Sequence, residues 1–265
     1  MSKRLVIAAA LLALVAGSVL VACGQVAAGP SSGTNAEAEP SAVAPERASE
    51  VTFVAITDRD DSLERAQAER ERQEAEERAR QAHEAEWRER FPTDDYSNTI
   101  LIGDSIMQQA GNSLYATLPN VTVDADSGRT LENGGAVYEG KSPNEGVLDH
   151  VRRDGGYYDR YVIETGNNEL GGMPIEAAQE IVDCLGPDKQ IYFVTMCSAV
   201  NEYGTEVTNA SIDAMVEQYD NVHMIDWYGL VHGNESAYLR DGIHVYFGLE
   251  PEYAAFIKEG LDVVY

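Results

Sequence analysis

The chain has 265 residues, and 45 Asp and Glu against 19 Lys and Arg leave it with a formal charge of −26. That sign of charge excludes a basic nucleic-acid binder. With 44% hydrophobic and 24% charged residues there is material for one sizeable core, which excludes a multi-span membrane protein and a wholly disordered chain. Three cysteines allow at most one intramolecular bridge.

The first segment reads as an export signal: Lys3 and Arg4 precede an apolar run from Leu5 to Ala22. Leu20-Val21-Ala22-Cys23 resembles the bacterial lipoprotein processing box, which implies a signal peptide over residues 1–23 and a lipidated Cys23. The alternative is an uncleaved membrane helix, since such a run is just long enough to span a bilayer. In both cases Lys3 and Arg4 keep the N-terminus cytoplasmic and put the rest outside. Residues 24–61, rich in Ala, Ser, Glu, Pro and Gly, lack the material for a core and read as a flexible tether.

Residues 62–90 carry nine Glu and seven Arg with no Gly or Pro, a helix-forming composition. Glu-to-Arg pairs four apart fall at 74/78, 76/80, 84/88 and 86/90. Leu63 and Trp87 are the only large apolar residues, too few for a coiled-coil seam. A solvated single helix, a spacer that holds a domain away from a surface, is the expectation, with His83 facing solvent.

Phe91-Pro92 ends that helix. Residues 91–265 then alternate short apolar runs with amphipathic stretches, the signature of a βαβ fold. Expected strands are 99–103, 121–125, 161–165, 190–196 and 222–227, and expected helices 106–118, 143–154, 174–185, 206–219 and 250–262. Five strands alternating with helices predict a three-layer α/β/α domain on a parallel sheet, with ligands at the carboxyl ends of the strands.

Chemistry is therefore sought after each strand. After the first comes Gly103-Asp104-Ser105, a serine on a tight turn into a helix, beside amides that a helix start leaves open. An N-cap is the bland reading of that serine. Asp126-Ser127-Gly128-Arg129 follows the second strand, with a glycine whose N–H can approach a ligand closely. Gly166-Asn167-Asn168-Glu169 follows the third, offering amide donors. Near the end, Asp241-Gly242-Ile243-His244 puts a carboxylate three residues before a histidine, so one loop supplies a base and the acceptor that orients it.

These four blocks, in this order, resemble the SGNH or GDSL-like hydrolase superfamily over about residues 98–262. The stretch Asp124 to Arg129 and the Asp-Gly-Ile-His ending resemble the extracytoplasmic domains of peptidoglycan O-acetyltransferases. The resemblance implies a flavodoxin-like sheet, Ser105 as nucleophile, His244 as base and Asp241 as its orienter. It implies an oxyanion hole of the Ser105 and Gly128 amides with the Asn168 side chain. The sequence departs from the family at Glu169, where the third block has Asp, and at Ile106, where the name-giving motif has Leu. Asp104 is expected to brace the turn.

No cofactor is implied. His150, His223 and His232 share no short metal-ligand spacing, so no metal site is expected. Cys184 and Cys197 either pair or remain two free thiols. Three functions stand side by side. One is an extracytoplasmic, membrane-anchored serine esterase that removes acyl groups from an envelope glycan or a small ester. The second is an O-acetyltransferase served by a separate membrane acyl donor, and the third a surface binding module with no catalysis.

Overall fold

The computed structural model describes residues 57–132, 145–154 and 156–265. The expected signal peptide, Cys23 and the tether as far as residue 56 lie outside the described residues. No helix among the described residues is long and apolar enough to cross a membrane. The described residues fall into two units, residues 57–73 and 74–265.

Helix α1 runs from Thr57 to Arg90. In the first unit Glu69 accepts from Arg72 at 2.8 Å and from Gln73 at 2.9 Å. In the second, Arg78 pairs with Glu74 at 3.6 Å, as the spacing predicts. Arg80 also takes Glu77, a partner the four-residue spacing did not predict. From three residues away its fork reaches both carboxylate oxygens, at 3.0 and 2.8 Å.

The end of α1 is not wholly solvated either. Trp87 is 9% exposed, its ring 5.0 Å from Phe91, 6.1 Å from Tyr265 and 6.3 Å from His223. His83, though exposed, shares a 2.5 Å hydrogen bond with the Tyr265 carbonyl. A lone indole on a charged helix gains more by covering apolar surface than by facing water.

Strands β1 (Thr99–Gly103), β2 (Thr122–Ala125), β3 (Arg160–Ile163), β4 (Gln190–Val194) and β5 (Val222–Ile225) form one parallel sheet of order β2-β1-β3-β4-β5. This is the flavodoxin-like order, in which the chain reverses direction across the sheet at β1. Helices α2 (Ser105–Thr117), α3 (Val147–Asp154), α4 (Ile175–Leu185) and α5 (Glu202–Gln218) follow the first four strands. Short helices α6 (Trp227–Val231) and α7 (Glu235–Tyr238) and the longer α8 (Glu250–Leu261) complete the domain.

Alternation along the strands makes the layers. Leu101, Val162, Tyr192, Val194 and Ile225 pack with Leu114 of α2 and Ile257 of α8. Ile100, Ile102, Tyr161, Ile163, Ile191 and Phe193 pack with Val151 of α3, Ile181 of α4 and Ile212 of α5. Side chains on successive strand residues face opposite ways, so α2 and α8 cover one set and α3, α4 and α5 the other.

Several limits differ from those expected. β5 stops at Ile225 because the Asp226 carboxylate accepts the Gly229 amide at 2.8 Å and starts α6. α5 begins at Glu202 because Asn201 caps it through the Gly204 amide at 3.0 Å. At the amino end of the sheet, buried Arg160 donates to Thr99 Oγ1 at 2.9 Å, with the rings of Phe91 and Tyr96 each 5.0 Å from its guanidinium carbon. Cys184 and Cys197 are free thiols, and burial pushes that of Cys197 up to about 11.

Truncating Trp87 to alanine should remove the contact that seats the end of α1. The expected cost is about 3 kcal/mol of unfolding free energy, measured by chemical denaturation.

Candidate active site

Ser105 is the first residue of α2, and Asp104 before it is the helix cap, its Oδ1 accepting the Ile106 amide at 3.0 Å. The Ser105 hydroxyl lies 2.8 Å from His244 Nε2, and His244 Nδ1 lies 2.9 Å from Asp241 Oδ2. The other Asp241 oxygen accepts the amides of Ile243 at 3.1 Å and His244 at 2.8 Å. Partial burial pushes the Asp241 carboxyl upward, but these hydrogen bonds outweigh it and bring the group down to about 2. Asp241 is therefore an anion at neutral pH, able to hold an imidazole and to stabilise it when it gains a proton.

The three residues predicted from two distant blocks thus form one hydrogen-bonded line at the carboxyl end of the sheet. Beside Ser105 and His244 is an open crevice of about 280 Å³, lined by Gln108, Gln109, Ser127, Arg240 and Phe247. Its lining is mixed, with the amides of Gln108 and Gln109 and the Ser127 hydroxyl beside the ring of Phe247, which is 74% exposed. Arg240 sits 4.4 Å over that ring and donates to Gln109 at 3.3 Å.

Gly128 has a φ of +74°, a left-handed conformation that glycine adopts without strain. The loop around it is tied down by Arg129, which is 4% exposed. The Arg129 guanidinium donates to Asp124 Oδ1 at 2.6 Å, to the Asp124 carbonyl at 2.5 Å and to the Gly103 carbonyl at 3.4 Å. The hydrogen bond with buried His150, at 2.8 Å, and then that with Arg129 hold the Asp124 carboxyl well below its usual range. Short spacing does not reveal this pairing, because Asp124 lies on β2 and His150 on α3, the next element in the chain.

Asn168 is exposed at the rim, and its side-chain nitrogen donates to the Arg129 carbonyl at 2.8 Å and to Asp104 Oδ2 at 3.3 Å. Both amide hydrogens are thus engaged with the protein, and Asn168 ties the third block to the first two. The neighbouring Asn167 donates to the same Asp104 oxygen at 3.1 Å. Glu169 accepts the Leu131 amide, while burial pushes its carboxyl up to about 7. The motifs did not single out Glu164, which is 5% exposed directly after β3. Burial, and then the charge of Asp104, push its carboxyl well above the usual range. An acid at the end of an otherwise apolar strand was the signal available.

No family model matches the chain. Over 149 residues it is 28% identical to the O-acetyltransferase OatA of Staphylococcus aureus, a match that takes in 56% of this chain and 22% of the relative. The chain thus spans about a fifth of the length of that curated relative. Among solved structures it is similar to the C-terminal catalytic domain of peptidoglycan O-acetyltransferase A from Streptococcus pneumoniae. That likeness has 17% identity and a TM-score of 0.48, covering 63% of this chain and 92% of the other. It is also similar to a carbohydrate esterase family 3 structure from Talaromyces cellulolyticus, at 16% identity and a TM-score of 0.42, covering 62% and 95% of the two chains. The similarity to O-acetyltransferases thus accompanies four sequence blocks in order and a β2-β1-β3-β4-β5 sheet.

Proposed function

We propose that the domain is a serine esterase that removes acyl groups, acetyl in the simplest case, from a cell-envelope glycan. The observation that carries this reading is the 2.8 and 2.9 Å relay from Ser105 through His244 to Asp241. His244 Nε2 takes the hydroxyl proton as Ser105 Oγ bonds to the ester carbon, and the ionised Asp241 stabilises the imidazolium. The negative charge then on the carbonyl oxygen meets the Ser105 and Gly128 amides. Asn168 joins them by exchanging its longer bond, the 3.3 Å one to Asp104, for one to the oxyanion. As the tetrahedral intermediate collapses, the ester C–O bond breaks and His244 returns its proton to the departing sugar hydroxyl. A water molecule, deprotonated by His244, then releases the acid and restores Ser105.

Transfer is the second reading, favoured by similarity to O-acetyltransferases. It differs in one step: a sugar hydroxyl replaces water, and a membrane partner supplies the acyl group. In either case Cys23 anchors the protein outside the cytoplasmic membrane as a lipoprotein, with the residues up to 56 as tether and the charged helix, which starts at Thr57 and not at residue 62, as spacer.

Ser105→Ala is expected to abolish aryl-acetate hydrolysis and fluorophosphonate labelling. More than a few per cent of wild-type turnover would overturn the assignment. Asn168→Ala is expected to lower the rate about 10²- to 10³-fold, and an unchanged rate would remove it from the oxyanion hole. Incubation with an acetyl donor and a glycan separates the two readings. Free acetate alone marks hydrolysis, and acetylated glycan marks transfer.

Glu169 gives a pH test of the departure from the family's third block. Its folded carboxyl titrates near 7 and its unfolded one near an ordinary value of about 4.3. The folded state therefore holds the proton more tightly, and the contribution to stability is complete below about pH 4 and lost as pH rises through 7. Glu169→Gln is expected to make the decline between these limits shallower, measured by denaturant unfolding at a series of pH values.

A further inference from the structure

Two buried acids lie behind the nucleophile, and the mechanism uses neither. Asp104 is fully buried and Glu164 is 5% exposed. The Asn167 side-chain nitrogen stands between them, 3.1 Å from Asp104 Oδ2 and 3.4 Å from Glu164 Oε1. Asp104 passes the link on, since its other oxygen holds the Ile106 amide at 3.0 Å, on the far side of Ser105. A continuous line thus runs from Glu164 through Asn167 and Asp104 to the turn that carries Ser105.

Glu164 also presses on that turn directly. A Cβ built on Gly103 would lie 3.1 Å from Glu164 Oε2 and 2.6 Å from the Met107 side chain. The carboxyl therefore occupies the space that a side chain two residues before the nucleophile would need. Glu164 Oε2 is buried with no hydrogen-bond partner. That is an unfavourable place for a full charge and a tolerable one for a protonated oxygen. Two carboxyls this close in a dry site do not both ionise, and the upward displacement of both groups agrees with a shared proton.

We propose that Glu164 is a positioning residue for the nucleophile, acting through Asn167 and Asp104 to fix the turn on which Ser105 stands. The inference rests on the esterase reading of the same site. A neutral side chain of equal shape should do the same work, because what acts is the acceptor held against Asn167. An apolar side chain should not, because Asn167 loses one of its two partners and Asp104 is held less firmly. Small displacements of a reacting group are costly, about 10²-fold in rate for 1 Å.

The test compares Glu164→Gln with Glu164→Leu on an aryl acetate, with active sites counted by fluorophosphonate titration so that unfolded protein does not enter the rate. Glu164→Leu is expected to lower kcat per site about 10- to 100-fold with KM changed less than about 3-fold. Glu164→Gln is expected to keep kcat within about 3-fold of wild type. If Glu164→Leu does not fold, Asn167→Ala breaks the same line and is expected to give the same fall in kcat. A kcat per site within about 2-fold of wild type in the variant that breaks the line would overturn the inference. So would a Gln variant as slow as the Leu variant, which would mean that the charge acts. A wild-type protein that neither hydrolyses the ester nor takes the label would overturn the esterase reading, and this inference with it.

Discussion

The interaction on which the rest of the site depends is the cap that Asp104 places on α2. A helix start leaves amides without partners, and a carboxylate there is held by the amide of Ile106 and by the local dipole. Full burial makes that carboxylate expensive unless its other oxygen is also bonded. Asn167 and Asn168 meet the need, both from the loop after β3. Arg129 joins the loop after β2 to the same cluster, through its guanidinium to Gly103 and its carbonyl to Asn168. Three blocks distant in sequence are thus locked together by the polar groups that one buried acid requires.

Charge is distributed in a way that the total of −26 conceals. Residues 62–90 are nearly neutral, with nine acids and seven bases, whereas residues 91–265 hold 29 acids against eight bases. In that region the cations Arg129, Arg152, Arg153, Lys189 and Lys258 already face carboxylates within 4.0 Å. Arg160 is buried under aromatic rings. The field that a ligand meets on approach is accordingly negative, and it disfavours polyanions over neutral esters. Arg240 relieves this locally at the crevice, 4.0 Å from Asp241 and stacked on Phe247.

Much of this was legible in the sequence, for reasons that can be named. Strands β1, β3 and β4 were found because Ile100, Leu101 and Ile102 and their counterparts in β3 and β4 are buried on both faces, giving short apolar runs ended by polar residues, whereas β2 is half-buried throughout. The relay was found because Asp241 and His244 are close in sequence and Ser105 stands at a strand end. What escaped depends on contacts distant in sequence. Helix α6 starts through a cap at Asp226 that reads as the end of a strand. Trp87 on a charged helix is indistinguishable from a solvated residue until His223 and Tyr265 are brought to it. The expected role of Asn168 was read from its block, but its bond to the Arg129 carbonyl follows from loop packing that no motif encodes.

His244 and Asp241 share one short loop, and much of what shapes that loop is its own. Asp241 holds the amides of Ile243 and His244, the Arg240 amide donates to the His244 carbonyl at 2.9 Å, and Leu239 bridges to Val245. Ser105, by contrast, is rooted through Gly103 in β1, an inner strand paired with β2 and β3. The two halves of the relay therefore stand on different supports, a short loop and a paired strand. On the proposed esterase reading, opening of the loop would take the base and its orienter away as a pair, leaving a serine with no means of losing its proton while every strand pairing survives. Inactivation on warming would then run ahead of unfolding and reverse as the loop closes, a separation of activity from structure that follows from placing both proton-handling groups on one turn of chain.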